Sequence, residues 1–371
     1  MVTNIRVGAV QAEPVWLDLE GSVNKTISLI ESAAADGVQV LGFPEVWIPG
    51  YPWSMWTSSV IENTHIIHEY MANSMPRDSD EMRRIQAAVK KAGMFVVLGY
   101  SERDGGSLYM GQSFISPDGE IAHHRRKIKP THVERTIWGE GQAESLKCVV
   151  PSLFGKIGGL NCWEHLQPLL RYYEYSQGVQ IHVASWPAEF EMPDPKKIAW
   201  LYHETGEASY RASQFMAMEG QCFVLVASQI LTEKNLEKNN LVGNPVTKTP
   251  GGGFSMIFGP DGKPLCEPLG DGDEGILKAN INLRDIDYPK AFIDPVGHCK
   301  ETPKSRNCLL GFVRRVFELN SKSVEPIGES DKGHACYNDG EIGKPGYILP
   351  SDTVLDKRGC LMDMSSLAKF S

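Results

Sequence analysis

The stretch GKIGGLNCWEHL, Gly155–Leu166, places one cysteine between an apolar run and a short polar one. Residues 155–161 have the pattern of a buried strand, and a helical pattern follows, so Cys162 stands where a strand ends and a helix begins. A buried cysteine often does no more than fill space. At this junction, however, the helix dipole is expected to lower the thiol pKa, and the N–H groups of Trp163 and Glu164 could hold developing negative charge.

Strands and helices alternate on both sides of this stretch. Apolar periodicity predicts strands at 5–11, 38–43, 94–100, 180–185 and 222–228, and helices at 18–36, 164–176 and 207–219. A further helix is expected between a cap at Asp78 or Ser79 and a stop at Gly93. Two hairpins turn at Pro-Asp-Gly sequences, 117–119 and 260–262. This order predicts a layered α/β fold.

Composition and charge argue against several classes of protein. The chain has 371 residues and a formal charge of −9, which argues against a nucleic-acid or anionic-membrane partner. Apolar runs are too short for a membrane span, and the N-terminus lacks the pattern of a secretory signal. Eight cysteines without a CxxC pair favour neither a disulfide framework nor a zinc ribbon. We expect a reduced, cytoplasmic enzyme, with an irregular tail over 316–371 after a main domain of 1–315.

A cysteine nucleophile needs a base and a cation, and two other strand ends supply candidates. Glu45 follows the strand at 38–43 in LGFPEVWIPGYPWSMW, where aromatic neighbours would desolvate it and raise its pKa. Lys127 lies in HHRRKIKPTHVER, where strand alternation would place it on one face with Arg125 and Lys129. The alternatives are a solvated loop acid and a solvated basic face. The histidines of this run lack metal-ligand spacing, so no metal site is predicted.

Three segments resemble the catalytic signatures of one family. FPEVWIPGYP, RRKIKPTHVER and LNCWEHLQPL are similar to those of the nitrilase branch of the carbon–nitrogen hydrolase superfamily, and HVASWP and DPVGH resemble two further blocks. The segments occur in family order over about residues 5–300. YSERDGGSLYMGQ, THVERTIWGEG and EGQCFVL are most similar to arylacetonitrilases of bacteria and fungi.

The resemblance implies a fold and a set of site residues. The fold would be a four-layer αββα sandwich that dimerises into eight layers and extends into spirals or filaments. Glu45, Lys127 and Cys162 would be catalytic, joined by Glu134, which residue patterns alone do not single out. No metal or organic cofactor is implied. Residues expected to bind substrate are Tyr51, Trp53, Trp163, Glu164, Trp186 and Pro187. After His298 the sequence CKETPKSR departs from the family pattern, which puts the tail's role in assembly in doubt.

The implied reaction converts an organic nitrile, of aryl or arylacetonitrile type, into a carboxylic acid and ammonia through a cysteine thioimidate and thioester. Two alternatives use the same three residues: a cyanide hydratase or dihydratase, and an aliphatic amidase. A further alternative is that the chain is not an enzyme but a filament-forming protein without catalytic activity. Retention of glutamate, lysine and cysteine together argues against it.

Overall fold

A computed structural model describes residues 2–297 and the backbone of two short strands in the last twenty residues of the chain. By its internal contacts the chain divides into two compact units, Met1–Glu301 and Thr302–Ser371. In the described residues, none of the helices combines the length and apolar character needed to cross a bilayer.

Eleven strands form the framework of the first unit. They are β1 (Asn4–Ala12), β2 (Val40–Gly42), β3 (Phe95–Asp104), β4 (Ser107–Ile115), β5 (Ile121–Arg126), β6 (Val149–Ser152), β7 (Gly155–Asn161), β8 (Ile181–Trp186), β9 (Phe223–Gln229), β10 (Met256–Phe258) and β11 (Gly275–Asn282).

Helices connect and cover these strands. The α-helices are α1 (Leu19–Ala35), α2 (Ser54–Thr57), α3 (Thr64–Asn73), α4 (Asp80–Ala92), α5 (Pro168–Gln177), α6 (Gly206–Gly220) and α7 (Asp287–Phe292). Short 3₁₀ turns lie at His132–Thr136, Ala143–Leu146, Cys162–Leu166, Tyr202–Glu204, Glu233–Asn235 and Leu283–Ile286.

The strands form two sheets that meet at one corner. The first has the order β5-β4-β3-β2-β1-β11 and the second the order β6-β7-β8-β9-β10. Within each sheet the three central strands run parallel, β1-β2-β3 and β7-β8-β9, and the outer strands run antiparallel. The corner joins β1 to β9 through two residue pairs, Gln11–Ser228 and Ala12–Gln229.

Alternation along the strands produces four layers. Ile5, Val7 and Ala9 of β1 pack in one buried cluster with residues of the second sheet, such as Ile181 and Leu225. Residues of β1 with the other parity lie in a second cluster with apolar side chains of α1 and α4. Helices α5 and α6 cover the second sheet, where α6 packs on β9 and β10. The expected αββα sandwich is therefore confirmed.

Side-chain caps begin two helices. Asp18 accepts a hydrogen bond from Gly21 N at the start of α1, and Ser79, one of the two caps that the sequence predicts, accepts one from Met82 N at the start of α4. Gly93 ends α4 in the left-handed region, at φ 62°.

The helix expected at 164–176 is wrong at its start. A 3₁₀ turn occupies Cys162–Leu166, and α5 begins only at Pro168. Proline is favoured in the first turn of a helix because its missing N–H would be unpaired there anyway. Cys162 therefore begins a five-residue turn and not an α-helix.

Most of the proposed tail lies outside the described residues. Within it the structure describes β12 (Thr353–Leu355) and β13 (Leu361–Asp363), which pair antiparallel with Val354 opposite Met362. The role of residues 316–371 stays a prediction.

Gly99 in β3 allows the segment after β2 to pack against the sheet. A Cβ at this position would lie 2.3 Å from the carbonyl oxygen of Pro44 and 3.0 Å from Cα of Glu45. We expect Gly99→Ala to lower the free energy of unfolding by about 1–3 kcal/mol, because backbone must shift to relieve the overlap. Urea denaturation measures this change.

The matched control is Gly106→Ala, at an exposed turn where an added Cβ has no heavy atom within 4 Å. Its effect should stay within about 0.5 kcal/mol. Equal stability of the two variants would contradict the close packing of β3 against Pro44.

Candidate active site

Four strand ends bring the reactive side chains to the seam between the sheets. Glu45 comes three residues after β2 and Lys127 one residue after β5, both in the first sheet. Cys162 directly follows β7 and Glu189 comes three residues after β8, both in the second sheet. All four side chains are buried. The site therefore depends on both sheets.

Cys162 occupies a strained backbone position. Its φ is 46°, a left-handed value that residues with a side chain seldom adopt. Burial raises the pKa of its thiol well above the usual range, while Lys127 acts in the opposite direction. The lowered pKa expected from a helix dipole is wrong, because a short 3₁₀ turn follows and solvent is excluded. The thiol therefore needs a base to become a nucleophile.

Lys127 supplies the positive charge of the site. Its Nζ lies 3.1 Å from Oε1 of Glu45 and 2.8 Å from Oε2 of Glu134, and all three side chains are buried. Burial alone would lower the pKa of Lys127, but the carboxylates of Glu134 and Glu45 raise it well above the usual range. Lys127 is therefore an ammonium ion that can hold negative charge on a bound substrate.

Both carboxyl oxygens of Glu134 accept hydrogen bonds from neighbouring groups. Oε1 accepts a hydrogen bond from the Tyr51 hydroxyl at 2.9 Å. Oε2 accepts from Lys127 Nζ at 2.8 Å and from Thr131 N at 2.5 Å. These three donors engage both carboxyl oxygens of Glu134. The geometry places Glu134 against Lys127, and its role in orienting the lysine stays a prediction.

Glu45 has the environment of a proton acceptor. Apart from the ion pair with Lys127, neither carboxyl oxygen has a hydrogen-bond partner in the described residues. Burial raises the pKa of Glu45 to about 8, with Glu134 adding to the rise and Lys127 opposing it. The predicted direction is confirmed. A carboxyl group with this pKa exchanges protons efficiently near neutral pH.

A buried ion pair connects the lysine segment to the cysteine segment. Arg125 binds Glu164 through two hydrogen bonds of 2.6 and 2.8 Å. The same carboxylate accepts from the N–H groups of Ile128 and Asn161, each at 2.9 Å. Glu164 was predicted to contact substrate, but its side chain is engaged in this clamp. Its backbone N–H stays a predicted oxyanion donor.

A second chain of buried hydrogen bonds ends on the backbone carbonyl of Cys162. His165 Nδ1 lies 2.6 Å from the carbonyl oxygen of Cys162, and His165 Nε2 lies 2.8 Å from His182 Nε2. His182 Nδ1 lies 2.7 Å from Glu174 Oε1. Burial lowers the pKa of both histidines, that of His182 to about 3, and raises the pKa of Glu174. This neutral chain holds the turn that carries Cys162. The sequence gives no signal for His182 or Glu174.

Aromatic side chains form a cluster near Glu134. Ring centroids lie 5.5 Å apart for Tyr51 and Trp53, 6.2 Å for Tyr51 and Trp138, and 5.7 Å for Trp53 and Phe190. The structure therefore brings together two of the residues predicted to bind substrate, Tyr51 and Trp53. Trp138 and Phe190 join them without having been singled out.

Trp186 lies apart from this cluster. It stacks on His165 at 5.0 Å and donates a hydrogen bond to Ser213 of α6, so it packs in the helix layer of the second sheet. Pro187 follows it and is buried. Trp163 is half-buried, with its ring 5.1 Å from that of His203. The substrate contacts predicted for these three residues stay predictions.

Glu189 is a site residue that residue patterns missed. Its Oε1 lies 4.0 Å from the sulfur of Cys162. Burial raises the pKa of Glu189 to about 8, with the Ser209 hydroxyl opposing the rise. Its position three residues after a strand end, which it shares with Glu45, is the signal that could have found it.

Within the part of the chain that the structure describes, Glu45, Glu134 and Cys162 also form a group that could hold a metal ion, since their ligand atoms all lie within 4.8 Å of one another. The ammonium of Lys127 lies between the two carboxylates, however, at 3.1 and 2.8 Å. A divalent cation between these oxygens would have to displace it. The donor set as folded therefore fits an ammonium ion better than a metal.

Comparison with known proteins defines the class. Residues 6–288 match the carbon–nitrogen hydrolase family, so the chain belongs to it. A protein of Helicobacter pylori G27, described as a carbon–nitrogen hydrolase, has the same fold at 17% identity and a TM-score of 0.64, over 82% of this chain and 98% of that one.

Relatives of higher identity place the chain in the nitrilase branch. A nitrilase of Talaromyces marneffei is 84% identical over 79% of this chain and 91% of its own length. A cyanide hydratase of Armillaria gallica is 50% identical over 93% of this chain and 95% of its own. An arylacetonitrilase of Aspergillus niger is 42% identical over 90% of this chain and all of its own. The resemblance seen in the sequence motifs is confirmed.

Lys127→Met should disable the site while keeping the volume of the side chain. Loss of the cation leaves Glu45 and Glu134 buried without their partner, which should lower the free energy of unfolding by about 3–5 kcal/mol. The pKa of Cys162 should rise further, because Lys127 lowers it. Alkylation of Cys162 by iodoacetamide, followed by mass spectrometry, should slow accordingly.

Lys129→Met is the matched control, since Lys129 is half-exposed and lies two residues further along the chain. Its alkylation rate and stability should stay close to those of the unchanged protein. Equal effects at the two positions would mean that Lys127 is the wrong lysine.

Proposed function

We propose that the protein is a nitrilase that hydrolyses aryl or arylacetonitriles to carboxylic acids and ammonia. The observation that carries this proposal is the convergence of a buried thiol, a carboxyl group with a raised pKa and an ammonium ion. Glu45, Glu134 and the sulfur of Cys162 lie within 4.8 Å of one another, and Nζ of Lys127 lies between the carboxylates. The family and the high identity to a nitrilase support the same assignment.

Attack on the nitrile uses Cys162, Glu45 and Lys127 together. Glu45 takes the thiol proton as the sulfur of Cys162 adds to the nitrile carbon. Negative charge then develops on the nitrile nitrogen, where Lys127 and the N–H groups that follow Cys162 stabilise it. Glu45 returns the thiol proton to this nitrogen, which gives a thioimidate bound to Cys162 and leaves Glu45 ionised again.

Hydrolysis of the thioimidate needs two waters. Glu45 deprotonates the first water, which adds to the carbon and gives a tetrahedral intermediate that carries nitrogen, oxygen and sulfur. Glu45 returns the water proton to nitrogen and then passes the hydroxyl proton to it, so that ammonia leaves, a thioester remains and Glu45 is again ionised. A second water, again deprotonated by Glu45, releases the carboxylic acid and restores the thiol. Glu134 keeps Lys127 in place throughout, through its 2.8 Å hydrogen bond.

The aromatic cluster supports an aromatic substrate. Trp53 and Phe190 flank the segment that carries Glu189, and Trp53 Nε1 donates to the carbonyl of Ala188 at 3.0 Å. Aromatic rings pack favourably against such walls. The arylacetonitrilase among the relatives acts on substrates of this kind, by its name.

Two other activities fit the same residues. A cyanide hydratase is 50% identical to the chain, so hydration of cyanide to an amide is the first competitor. An amidase would form the thioester directly and expel ammonia without a thioimidate. Both differ from a nitrilase in the substrate that reacts fastest.

We further propose that the chain acts in the cytoplasm as a homodimer that builds spirals or filaments. The four free thiols of the described residues, Cys148, Cys162, Cys222 and Cys266, are compatible with a reducing compartment. Exposed apolar side chains on α5 and α6, among them Leu169, Phe215 and Met218, offer a surface for pairing. The main domain of 1–315 would form the dimer, and the tail of 316–371 would act in assembly.

A substrate panel tests the proposed function. Ammonia release should be fastest with phenylacetonitrile or benzonitrile, slower with an aliphatic dinitrile and slowest with cyanide and phenylacetamide. Cys162→Ala should abolish turnover with little loss of stability, because the change removes the sulfur from a buried position and little else. Mass spectrometry should detect a substrate adduct on Cys162.

Cys222→Ala is the control for this variant, since Cys222 is buried and free but directly precedes β9, away from the four strand ends. It should keep its activity. Faster turnover of cyanide or of the amide than of any aromatic nitrile would overturn the proposed substrate.

The pH profile should show Glu45 as a base. A carboxyl group with a pKa of about 8 is protonated below this pH and cannot accept the thiol proton. We therefore expect kcat/KM for the nitrile to rise from pH 6 and to level off above about pH 8. Glu45→Gln should reduce kcat/KM by at least about 10²-fold at every pH.

Glu189 has a pKa in the same range, so Glu189→Gln is the control for this assignment. The rise in kcat/KM should persist in that variant. A flat profile in the unchanged enzyme would contradict the role of Glu45 as base.

A further inference from the structure

Glu189 brings a third carboxyl group to Cys162, and the reaction described above gives it no role. Its Oε1 lies 4.0 Å from the sulfur, at the outer limit of a hydrogen bond, and in the resting site the thiol is the donor and the carboxyl oxygen the acceptor. Glu45 and Glu134 share one 4.8 Å cluster with the same sulfur, and Glu189 is not a member of it. Glu189 therefore approaches the sulfur separately from the groups that surround Lys127.

The backbone around Glu189 is held on both sides. Glu189 N donates to the carbonyl of Gly252 at 3.0 Å, and the next residue, Phe190, accepts at its carbonyl from Gly206 N at 3.1 Å. The residue as a whole is 8% exposed. The carboxyl group is therefore a fixed and nearly dry neighbour of the nucleophile.

The surroundings keep Glu189 protonated at neutral pH. Burial raises its pKa to about 8, Glu204 and Glu45 add to the rise, and Ser209 and Lys127 oppose it. Neither Glu189 Oε2 nor Ser209 Oγ has a well-formed hydrogen bond in the described residues. Once the thiol of Cys162 has given up its own proton, the proton of Glu189 thus has the sulfur as a neighbouring acceptor.

We propose that Glu189 donates a proton to the sulfur of Cys162 when the tetrahedral intermediate expels the cysteine, and so controls release of an amide. This inference rests on the proposed nitrile hydrolysis. It assigns the two sides of the reacting carbon to different residues. Lys127, Glu45 and Glu134 serve the nitrogen, and Glu189 serves the sulfur.

The tetrahedral intermediate can break down in two ways, by losing ammonia or by losing the cysteine sulfur. The carbon carries OH, NH₂, the substrate's R group and the cysteine sulfur. When the C–N bond breaks, the hydroxyl proton passes to nitrogen through Glu45, and ammonia and a thioester form. When the C–S bond breaks, Glu45 takes the hydroxyl proton, the bonding pair goes to sulfur, and sulfur receives the proton of Glu189. The products are the amide and the free thiol, and Glu189 regains a proton from Glu45 or from water.

Glu189→Gln separates proton donation from hydrogen bonding, because an amide N–H can contact sulfur without transferring a proton. Mandelonitrile suits the test, since its electron-withdrawing hydroxyl makes the nitrogen a poorer base and favours expulsion of sulfur. The measurement is the amide-to-acid ratio by chromatography at equal conversion. We expect this ratio to fall by about tenfold or more, since a positioned proton donor contributes roughly 10²–10⁴-fold to its step.

Glu191→Gln is the matched control. Glu191 lies two residues further along the same segment, but it is exposed and paired with Lys248 at 2.9 Å. Its amide-to-acid ratio should equal that of the unchanged enzyme. Phenylacetonitrile, which lacks the α-hydroxyl, should give a lower ratio than mandelonitrile in all three proteins.

The unchanged enzyme provides a second measurement that does not depend on how a variant folds. Its amide-to-acid ratio should fall as pH rises through about 8, because ionised Glu189 has no proton to donate. Glu45, Lys127, Glu204 and Cys162 also act on this region, so the same series is run on Glu189→Gln, where the ratio should change little with pH.

The outcomes distinguish this inference from the proposed function. Absence of acid, amide and ammonia from every nitrile would overturn the proposed function itself. Nitrile turnover with an unchanged ratio in Glu189→Gln, or a ratio in the unchanged enzyme that is independent of pH, would overturn the role of Glu189 alone. A higher amide fraction in Glu189→Gln would assign Glu189 to ammonia release instead. Turnover without detectable amide from mandelonitrile at any pH would also count against the proposal.

Discussion

The buried ammonium group of Lys127 is the interaction on which the site depends. Its Nζ lies between Glu45 and Glu134, at 3.1 and 2.8 Å, with all three side chains sealed from solvent. Two carboxyl groups so close together could not both ionise without a cation between them. Burial raises the pKa of Glu45 to about 8, near the operating range of an enzyme, and the ammonium of Lys127 opposes this rise.

Supporting contacts keep this group at the correct distance from the nucleophile. The Arg125–Glu164 pair hydrogen-bonds to the backbone on both catalytic segments, after Lys127 and before Cys162. A buried ion pair gains little net stability over apolar packing. Its contribution here is geometric, because one carboxylate fixes two chain segments that are 33 residues apart in sequence, from Ile128 to Asn161. The neutral chain from His165 to Glu174 adds support beneath the turn.

Much of this arrangement could be predicted from local patterns, and some of it could not. Alternation and caps predict the strands and helices well, and strand ends single out Glu45, Lys127 and Cys162. Glu134 became visible only through resemblance, because its role depends on a turn that folds back onto Lys127.

Glu189 and Glu191 show the limit most clearly. Residue type in the segment EFEMP does not separate them, yet one lies buried beside the sulfur and the other pairs with a surface lysine. Only the spacing of Glu189 from the end of β8 hints at this difference, which tertiary packing then fixes. The same holds for the Cys162 thiol, whose pKa is set by burial rather than by the expected helix.

The division of the site between two sheets makes catalysis sensitive to their relative register. The proposed base and cation, Glu45 and Lys127, belong to one sheet and the proposed nucleophile, Cys162, to the other, and the strands of the two sheets are joined at a corner of two residue pairs. A slide of about 1 Å between such layers can cost roughly 10²-fold in rate while every strand stays intact. Mild denaturant or pressure could therefore silence this enzyme before its circular dichroism changes. The turnover rate is therefore more sensitive to the alignment of the two sheets than any measure of secondary structure.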